Sequence, residues 1–251
     1  MMKYIVYGHT SYLDVLKIQT DYIVGKDDIT LFLNQNNLNI EDLYSKYNRV
    51  IFYNDSDTYA KRLSDCLNNI DSEYFLLIHD IDILLNVNSD VIDKIHSYMV
   101  ENSIDRVDLK PTQILEGCKV ININSDLNLI KQSDPTQYIY NVNPSIWKRE
   151  TLLKIVNTFP NKTYRTIEDM DVQNFCKEFD IYKLHGNKIL KCGYFDCLDI
   201  FTFLHISHNN RLLPLNNDFT SIYGQSYSDV AETYIEIVNK YDLKKSNKWI
   251  S

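Results

Sequence analysis

The first half of the chain alternates short, continuous apolar runs with stripes at helical spacing. Residues 3–7, 29–33, 49–53 and 74–78 are short runs that read as strands. Residues 11–20 can form a helix. After Asn54-Asp55-Ser56-Asp57, an N-cap region, Tyr59, Leu63, Cys66 or Leu67, and Ile70 recur at helical spacing, and Asp71-Ser72 ends that helix. Residues 74–78 are apolar throughout, as expected of a central strand covered on both faces. A helix is predicted from Ser89, with Val91, Ile92, Ile95, Tyr98 and Met99 as its apolar stripe.

The second half loses this rhythm. Strands are predicted at 106–109, 119–123 and 137–142, helices at 146–158 and 168–179, and a late strand at 199–204. A turn-rich segment to Gln225 follows. Residues 227–241 close the chain as an amphipathic helix, with Val230, Tyr234, Ile237 and Tyr241 on one side. No internal repeat and no Pro/Gly/Ser-rich linker divides the 251 residues, which suits one domain, 1–251.

Composition narrows the function. The net charge of −8 is spread along the chain without a basic run, which argues against a nucleic-acid partner. Cys66, Cys118, Cys176, Cys192 and Cys197 form neither a disulfide framework nor a paired C-x-x-C zinc pattern. Reduced cysteines in a cytoplasmic compartment are the expectation. The opening residues read as a strand and not as a signal peptide, and no apolar run approaches the roughly 18 to 20 residues of a membrane span.

The chemistry gathers at His79-Asp80-Ile81-Asp82, where the apolar run ends. In an open α/β sheet, ligands bind beyond the carboxyl ends of the strands, so both acids occupy the productive end if this strand is parallel to its neighbours. Once the chain turns after Ile78, the two carboxylates can reach one cation and a pair of phosphates. Oxygen ligands suit Mg²⁺ or Mn²⁺, which take part of their coordination from water and substrate phosphate. The bland reading of the same triplet is a solvated loop or helix cap.

The succession Tyr59-Ala-Lys-Arg-Leu63, Asp71-Ser-Glu-Tyr-Phe-Leu-Leu-Ile78 and Asp80-Ile-Asp82 resembles the GT-A-type nucleotide-sugar glycosyltransferases. The resemblance implies an α/β fold: a GT-A-like (Rossmann-like) mixed sheet flanked by helices. A nucleotide-binding first half, about 1–105, would join an irregular acceptor-binding half, about 106–251. It implies that Asp82 ligates the metal, that Asp80 meets metal or ribose, and that Tyr7, Gly8 and His9 border the nucleotide, with Asp28, or Asn54 and Asp55, at the ends of later strands. Lys61 or Arg62 would approach the phosphates, while Gly8 has the plainer reading of permitting a tight turn.

In the second half the resemblance places residues 137–147 at the border of donor sugar and acceptor. Asn141 and Asn143 would bond sugar hydroxyls, and Trp147 would stack on a sugar or anchor the core. Pro144 suits a strand ending ahead of a helix. In Thr166-Ile-Glu-Asp-Met-Asp171, Glu168 or Asp169 would be the general base of an inverting transfer, Asp169 slightly preferred. The same acids also suit the first turn of a helix capped by Thr166. His205 and His208 would add a contact to metal or diphosphate, and Lys188, Lys191, Arg211 and the C-terminal lysines could meet the diphosphate.

The activity so implied is transfer of a sugar, UDP-linked by preference, to a carbohydrate, lipid or protein hydroxyl. Two rivals stand beside it. A sugar nucleotidyltransferase would ordinarily carry a Gly-rich basic loop after the first strand, where this chain has Gly8-His-Thr-Ser-Tyr12. A non-catalytic nucleotide-sugar or carbohydrate-binding module would use the acids at 80 and 82 without a base.

Overall fold

The computed structural model describes residues 2–23, 28–34, 43, 45–112, 119–123, 127–134, 136, 138–185, 188–189, 195–196, 201–208, 211–212 and 227–243. The described chain runs β1 (Lys3–Tyr7), α1 (Leu13–Ile23), β2 (Ile29–Asn34), β3 (Arg49–Tyr53), α2 (Tyr59–Leu67), β4 (Tyr74–His79), β5 (Asp82–Val87) and α3 (Ser89–Glu101). There follow β6 (Arg106–Thr112), β7 (Val120–Asn122), β8 (Asn128–Lys131), β9 (Ser145–Lys148), α4 (Arg149–Thr158), α5 (Met170–Cys176) and β10 (Ile181–His185). The short pairs β11 (Lys188–Ile189) with β12 (Phe195–Asp196) and β14 (Ser207–His208) with β15 (Arg211–Leu212), and between them β13 (Phe201–His205), which pairs with β5, lead to α6 (Tyr227–Lys240).

Nine strands form one mixed sheet in the order β3-β2-β1-β4-β9-β6-β10-β8-β7. The first four are mutually parallel, β9 runs antiparallel between β4 and β6, and β10 is again parallel to β6. The carboxyl ends of β1 to β4, β6 and β10 therefore share one edge. Alternate residues feed two cores. Val6, Leu31, Leu76 and Ile78 pack with α3 through Ile92, Ile95 and Met99. Ile5, Phe32, Phe75 and Leu77 pack with Leu63 of α2, Ile155 of α4 and Val172 of α5. The fold is thus a mixed α/β sheet flanked by helices. Residues 74–78 of β4 are apolar throughout because helices cover both of its faces.

A third, smaller core joins Val15 and Ile18 of α1, Ile83 of β5, Leu204 of β13 and Tyr234, Ile237 and Val238 of α6. It backs the β5–β13 pair, which begins at Asp82. None of the described helices is long and apolar enough to cross a membrane.

The second half departs from expectation. Residues 145–148 form a strand and the helix begins only at Arg149, because Ser145, Ile146 and Trp147 are buried between β4 and β6. Pro144 consequently precedes a strand. Gln137 lies outside the described residues, and Tyr138 to Val142 are not a strand. Carbonyls of this segment turn to a side chain: Arg106 Nη1 donates to Ile139 O at 2.8 Å and Nη2 to Asn141 O at 3.0 Å. Helix α5 is shorter than expected, with Asp169 and not Thr166 in the cap position. Helix α2 is capped by Thr58, one residue after the acidic turn. Strands β5, β8 and β10 had no counterpart in the periodicity.

Arg106 has no exposed surface. Its Nη2 also donates to Asn141 Oδ1 and Ser145 Oγ, each at 2.7 Å, and its Cζ lies 4.6 Å from the centre of the Trp147 ring. Asp108, also fully buried, stands 3.8 Å from Nη2. Removing one member of such a set leaves an uncompensated buried charge. Arg106→Ala is expected to cost about 3–5 kcal/mol in urea unfolding, and a loss under 1 kcal/mol would refute this account of the network.

Candidate functional site

The site begins where β1 and β4 leave the sheet. Tyr7 and His79 are register partners. The Asp80 N–H donates to the Tyr7 carbonyl at 2.9 Å, and Asp80 Oδ2 accepts the His9 N–H at 2.8 Å. The two strand exits are thereby tied to each other. Between them the Gly8 N–H bonds the Phe32 carbonyl at 2.9 Å, and a Cβ at Gly8 would meet Leu16 Cδ2 at 2.9 Å. Glycine serves close packing of α1 here, and the tight-turn reading is corrected. Asn34, at the end of β2, holds the following turn by accepting the Thr10 N–H at 2.7 Å.

Beside Asp80 lies a cavity of about 280 Å³, lined by Tyr7, His9, Tyr12, Tyr53, Tyr59, Arg62, His79, Tyr164 and their neighbours. Its walls are aromatic. Tyr7 stacks on Tyr53 at 5.3 Å and meets Tyr59 edge-on at 5.2 Å. The Tyr59 hydroxyl and His79 Nε2 are hydrogen-bonded at 2.9 Å, and Tyr164 stands edge-on to Tyr59 at 5.4 Å. Burial pushes the Tyr7 and Tyr53 phenols above their ordinary range, so both remain neutral. Arg62 supplies a cation, with Cζ 5.3 Å from the Tyr53 ring centre. Its guanidinium is fixed by the Asp57 carbonyl at 2.7 Å and by Asp55 Oδ1 at 2.9 Å. Asp55 also lies 3.1 Å from His9 Nε2.

Asp82 opens β5 and is buried like Asp80. Across the pair its register partner is His205. The side chains of His205 and His208 lie outside the described residues, as do those of Lys188 and Arg211, while Lys191 and the C-terminal lysines lie outside altogether. Among the described residues no group of three or more His, Cys, Asp or Glu could hold a metal. Two hard carboxylates at one turn remain, a donor set suited to an ion that completes its shell with phosphate and water.

Tyr164 links this turn to the second half. Its hydroxyl is held well above its ordinary pKa by desolvation first and then by Asp82, Asp80 and Glu168. Glu168 is partly buried, and its Oε1 accepts the Val142 N–H at 2.8 Å. Desolvation raises its pKa against the pull of Val142 and Arg106. Asp169 differs. It faces solvent and shares the Lys162 ammonium with Asp171, at 2.9 and 2.8 Å.

Several expected residues sit elsewhere. Asp28 is at the amino end of the sheet, paired with Lys3 at 3.1 Å, opposite the edge that carries Asp80. Trp147 is 2% exposed between Arg106 and Tyr140, so it offers no face to a sugar. Asn141 spends its amide on Arg106 and, at 2.7 Å, on Asp108, and Asn143 leans on the same carboxylate at 3.4 Å. Asn54 closes its own turn by accepting the Ser56 N–H at 3.1 Å. Lys61 pairs with Asp65 one helical turn away. The aromatic wall of Tyr12, Tyr53, Tyr59 and Tyr164 was not singled out from sequence. Its one visible signal is that Tyr53 and Tyr59 flank an acidic turn.

No family model matches the chain, and no curated protein does. Among solved structures it is similar to a UDP-glucose pyrophosphorylase complexed with UDP-glucose, at 12% identity over 98% of this chain and 100% of that one, TM-score 0.48. A cytidylyltransferase from Leptospira borgpetersenii aligns at 8% identity over 100% and 98%, TM-score 0.47. S. aureus TarS 1-349 in complex with UDP-GlcNAc aligns at 14% over 74% and 59%, TM-score 0.43. These are remote likenesses in the path of the chain, and neither substrate nor chemistry carries over with them.

The Glu168 environment has a consequence for stability. A carboxyl whose folded pKa is raised contributes stability below its unfolded pKa and loses it as pH rises through the folded value. Glu168→Gln, which keeps an oxygen for Val142, should therefore raise the urea midpoint at pH 7.5 and leave it nearly unchanged at pH 4. An equal shift at both pH values would contradict a desolvated Glu168.

Proposed function

We propose that the chain transfers a sugar, with inversion, from a nucleoside-diphosphate sugar, UDP-linked by preference, to an acceptor hydroxyl. The observation that carries this reading is the aromatic cavity opening onto Asp80 at the carboxyl edge of four parallel strands. Flat walls of Tyr7, Tyr53, Tyr59 and Tyr164 suit a planar base, and Arg62 gives the cavity a cation for phosphate. Asp80 and Asp82 would hold Mg²⁺ or Mn²⁺, which when bound neutralises charge on the departing diphosphate.

On the acceptor side, Glu168 is the better base. Asp169 is tied to Lys162 at the surface, whereas Glu168 is partly desolvated and held at one oxygen by Val142. As the acceptor oxygen bonds the anomeric carbon and the carbon–phosphate oxygen bond breaks, the hydroxyl proton passes to the Glu168 carboxylate. Glu168 must be ionised to accept it. Turnover should accordingly rise with pH along a limb displaced above the ordinary glutamate range.

The test is a screen of UDP-, GDP- and CMP-sugars with Mn²⁺ or Mg²⁺, read by donor binding and nucleotide release. Asp82→Asn should weaken metal-supported donor binding at least roughly tenfold, since it removes a charged metal ligand. Glu168→Gln should bind donor normally and lose about 10²- to 10⁴-fold in kcat, while Asp169→Asn stays active. Absence of donor binding under every metal condition would sink the reading. Donor binding without transfer to any acceptor would leave a binding module.

A further inference from the structure

The cation of the aromatic cavity is already answered by a carboxylate of the same chain. His9, beyond β1, and Arg62, on α2, line the cavity, and Asp55 bridges them from the turn between β3 and α2. His9 Nε2 lies 3.1 Å from both Asp55 carboxylate oxygens, and Arg62 Nη2 lies 2.9 Å from Oδ1. His9 Nδ1 accepts the Ser11 N–H at 3.0 Å, so Nε2 carries the hydrogen that meets Asp55.

The Asp55 carboxylate is not what places Arg62. Arg62 Nε donates to the Asp57 carbonyl at 2.7 Å, and Nη2 donates to the Asp55 main-chain carbonyl. These two main-chain oxygens orient the guanidinium whatever side chain stands at position 55. The turn is likewise closed without that side chain: Asn54 Oδ1 accepts the Ser56 N–H at 3.1 Å, and the Asp57 N–H donates to the Asn54 carbonyl at 3.2 Å. What the carboxylate contributes is charge. Two oxygens met by an imidazole N–H and a guanidinium reproduce how those donors would hold a phosphate. The grip is also weak, because the Asp55 side chain is 47% exposed and ion pairs open to water contribute little. Rotation about its own side-chain bonds takes the carboxylate into solvent while the turn keeps its backbone.

We infer that His9 and Arg62 form an oxyanion subsite for a diphosphate, and that Asp55 occupies it as a built-in competitor which the ligand displaces. The inference deepens the donor reading and rests on its use of Arg62 for phosphate. Asp55 thereby sets a threshold for entry. A ligand without phosphate leaves the bridge closed, whereas a diphosphate exchanges one anion for another of greater charge.

The test measures uridine, UDP and inorganic pyrophosphate binding to the full chain by calorimetry with Mg²⁺, in wild type, Asp55→Asn, Arg62→Met and the double variant. Asp55→Asn is expected to bind UDP and pyrophosphate roughly fivefold more tightly, with uridine binding and the melting temperature unchanged. In the Arg62→Met background the same change should bring no gain. Unchanged or weaker binding of the phosphate ligands by Asp55→Asn, or equal tightening of uridine, would overturn the subsite. So would a gain that survives Arg62→Met. Tighter pyrophosphate binding by Asp55→Asn, with UDP bound by no variant, ends the donor reading and leaves the subsite standing.

Discussion

A guanidinium with no access to water organises the second half of this molecule. Arg106 could not be buried without several acceptors in fixed places, and it takes them from Ile139, Asn141 and Ser145. The first two of these belong to the segment ahead of β9, which would otherwise have to find a strand partner. By claiming its carbonyls, Arg106 lets the segment cross the sheet face as a loop and enter β9 in the antiparallel sense. The same loop presents the Val142 N–H that orients Glu168. A buried charge therefore holds the segment that leads into β9 and, through Val142, the posture of Glu168 together.

The cavity beside Asp80 is held by backbone instead. Tyr7 and His79 end adjacent parallel strands at the same level, and the Asp80 carboxylate accepts the His9 N–H two residues beyond β1. Aromatic side chains then fill the angle between β1, β3 and α2 with rings at contact distance. Tyr7 and Tyr53 reach the cavity from strand ends that packing has already placed, so the cavity wall costs little additional ordering. Behind Asp82, the small core between α1, β13 and α6 prevents β5 from turning away from the acidic turn.

This division explains what was legible in the sequence. Parallel strands β1, β2 and β4 are buried along nearly their whole length while edge strand β3 leaves Arg49 and Phe52 exposed, and their apolar runs announce them together with the acids that follow β4. Strand β9 escaped notice because Ser145-Ile-Trp-Lys148 is short and leads directly into a helix, so one apolar run served both elements. Arg106 and Asp108 alternate with Val107 and Leu109, the pattern of a half-exposed strand, yet both charges are buried. Periodicity distinguishes polar from apolar and cannot register that one polar residue satisfies another across 30 or more positions, as Arg106 does with Asn141. Trp147 shows the converse: a residue type suited to stacking on a sugar is consumed by stacking under a guanidinium.

The pair Glu168-Asp169 makes the same point at the scale of one peptide bond. As a sequence the two acids are interchangeable, both ahead of a helix and both suited to its positive end. In the fold, the Asp169 side chain faces Lys162 and solvent, where its charge is already answered. Glu168 turns inward to a single N–H, and desolvation there outweighs both that bond and the nearby Arg106. A base must be charged before the reaction and neutral after it. The better candidate is thus the carboxylate whose surroundings resist its charge without preventing it, and Glu168 meets that condition whereas a carboxylate locked to an ammonium would have to break the pair as it accepts the proton.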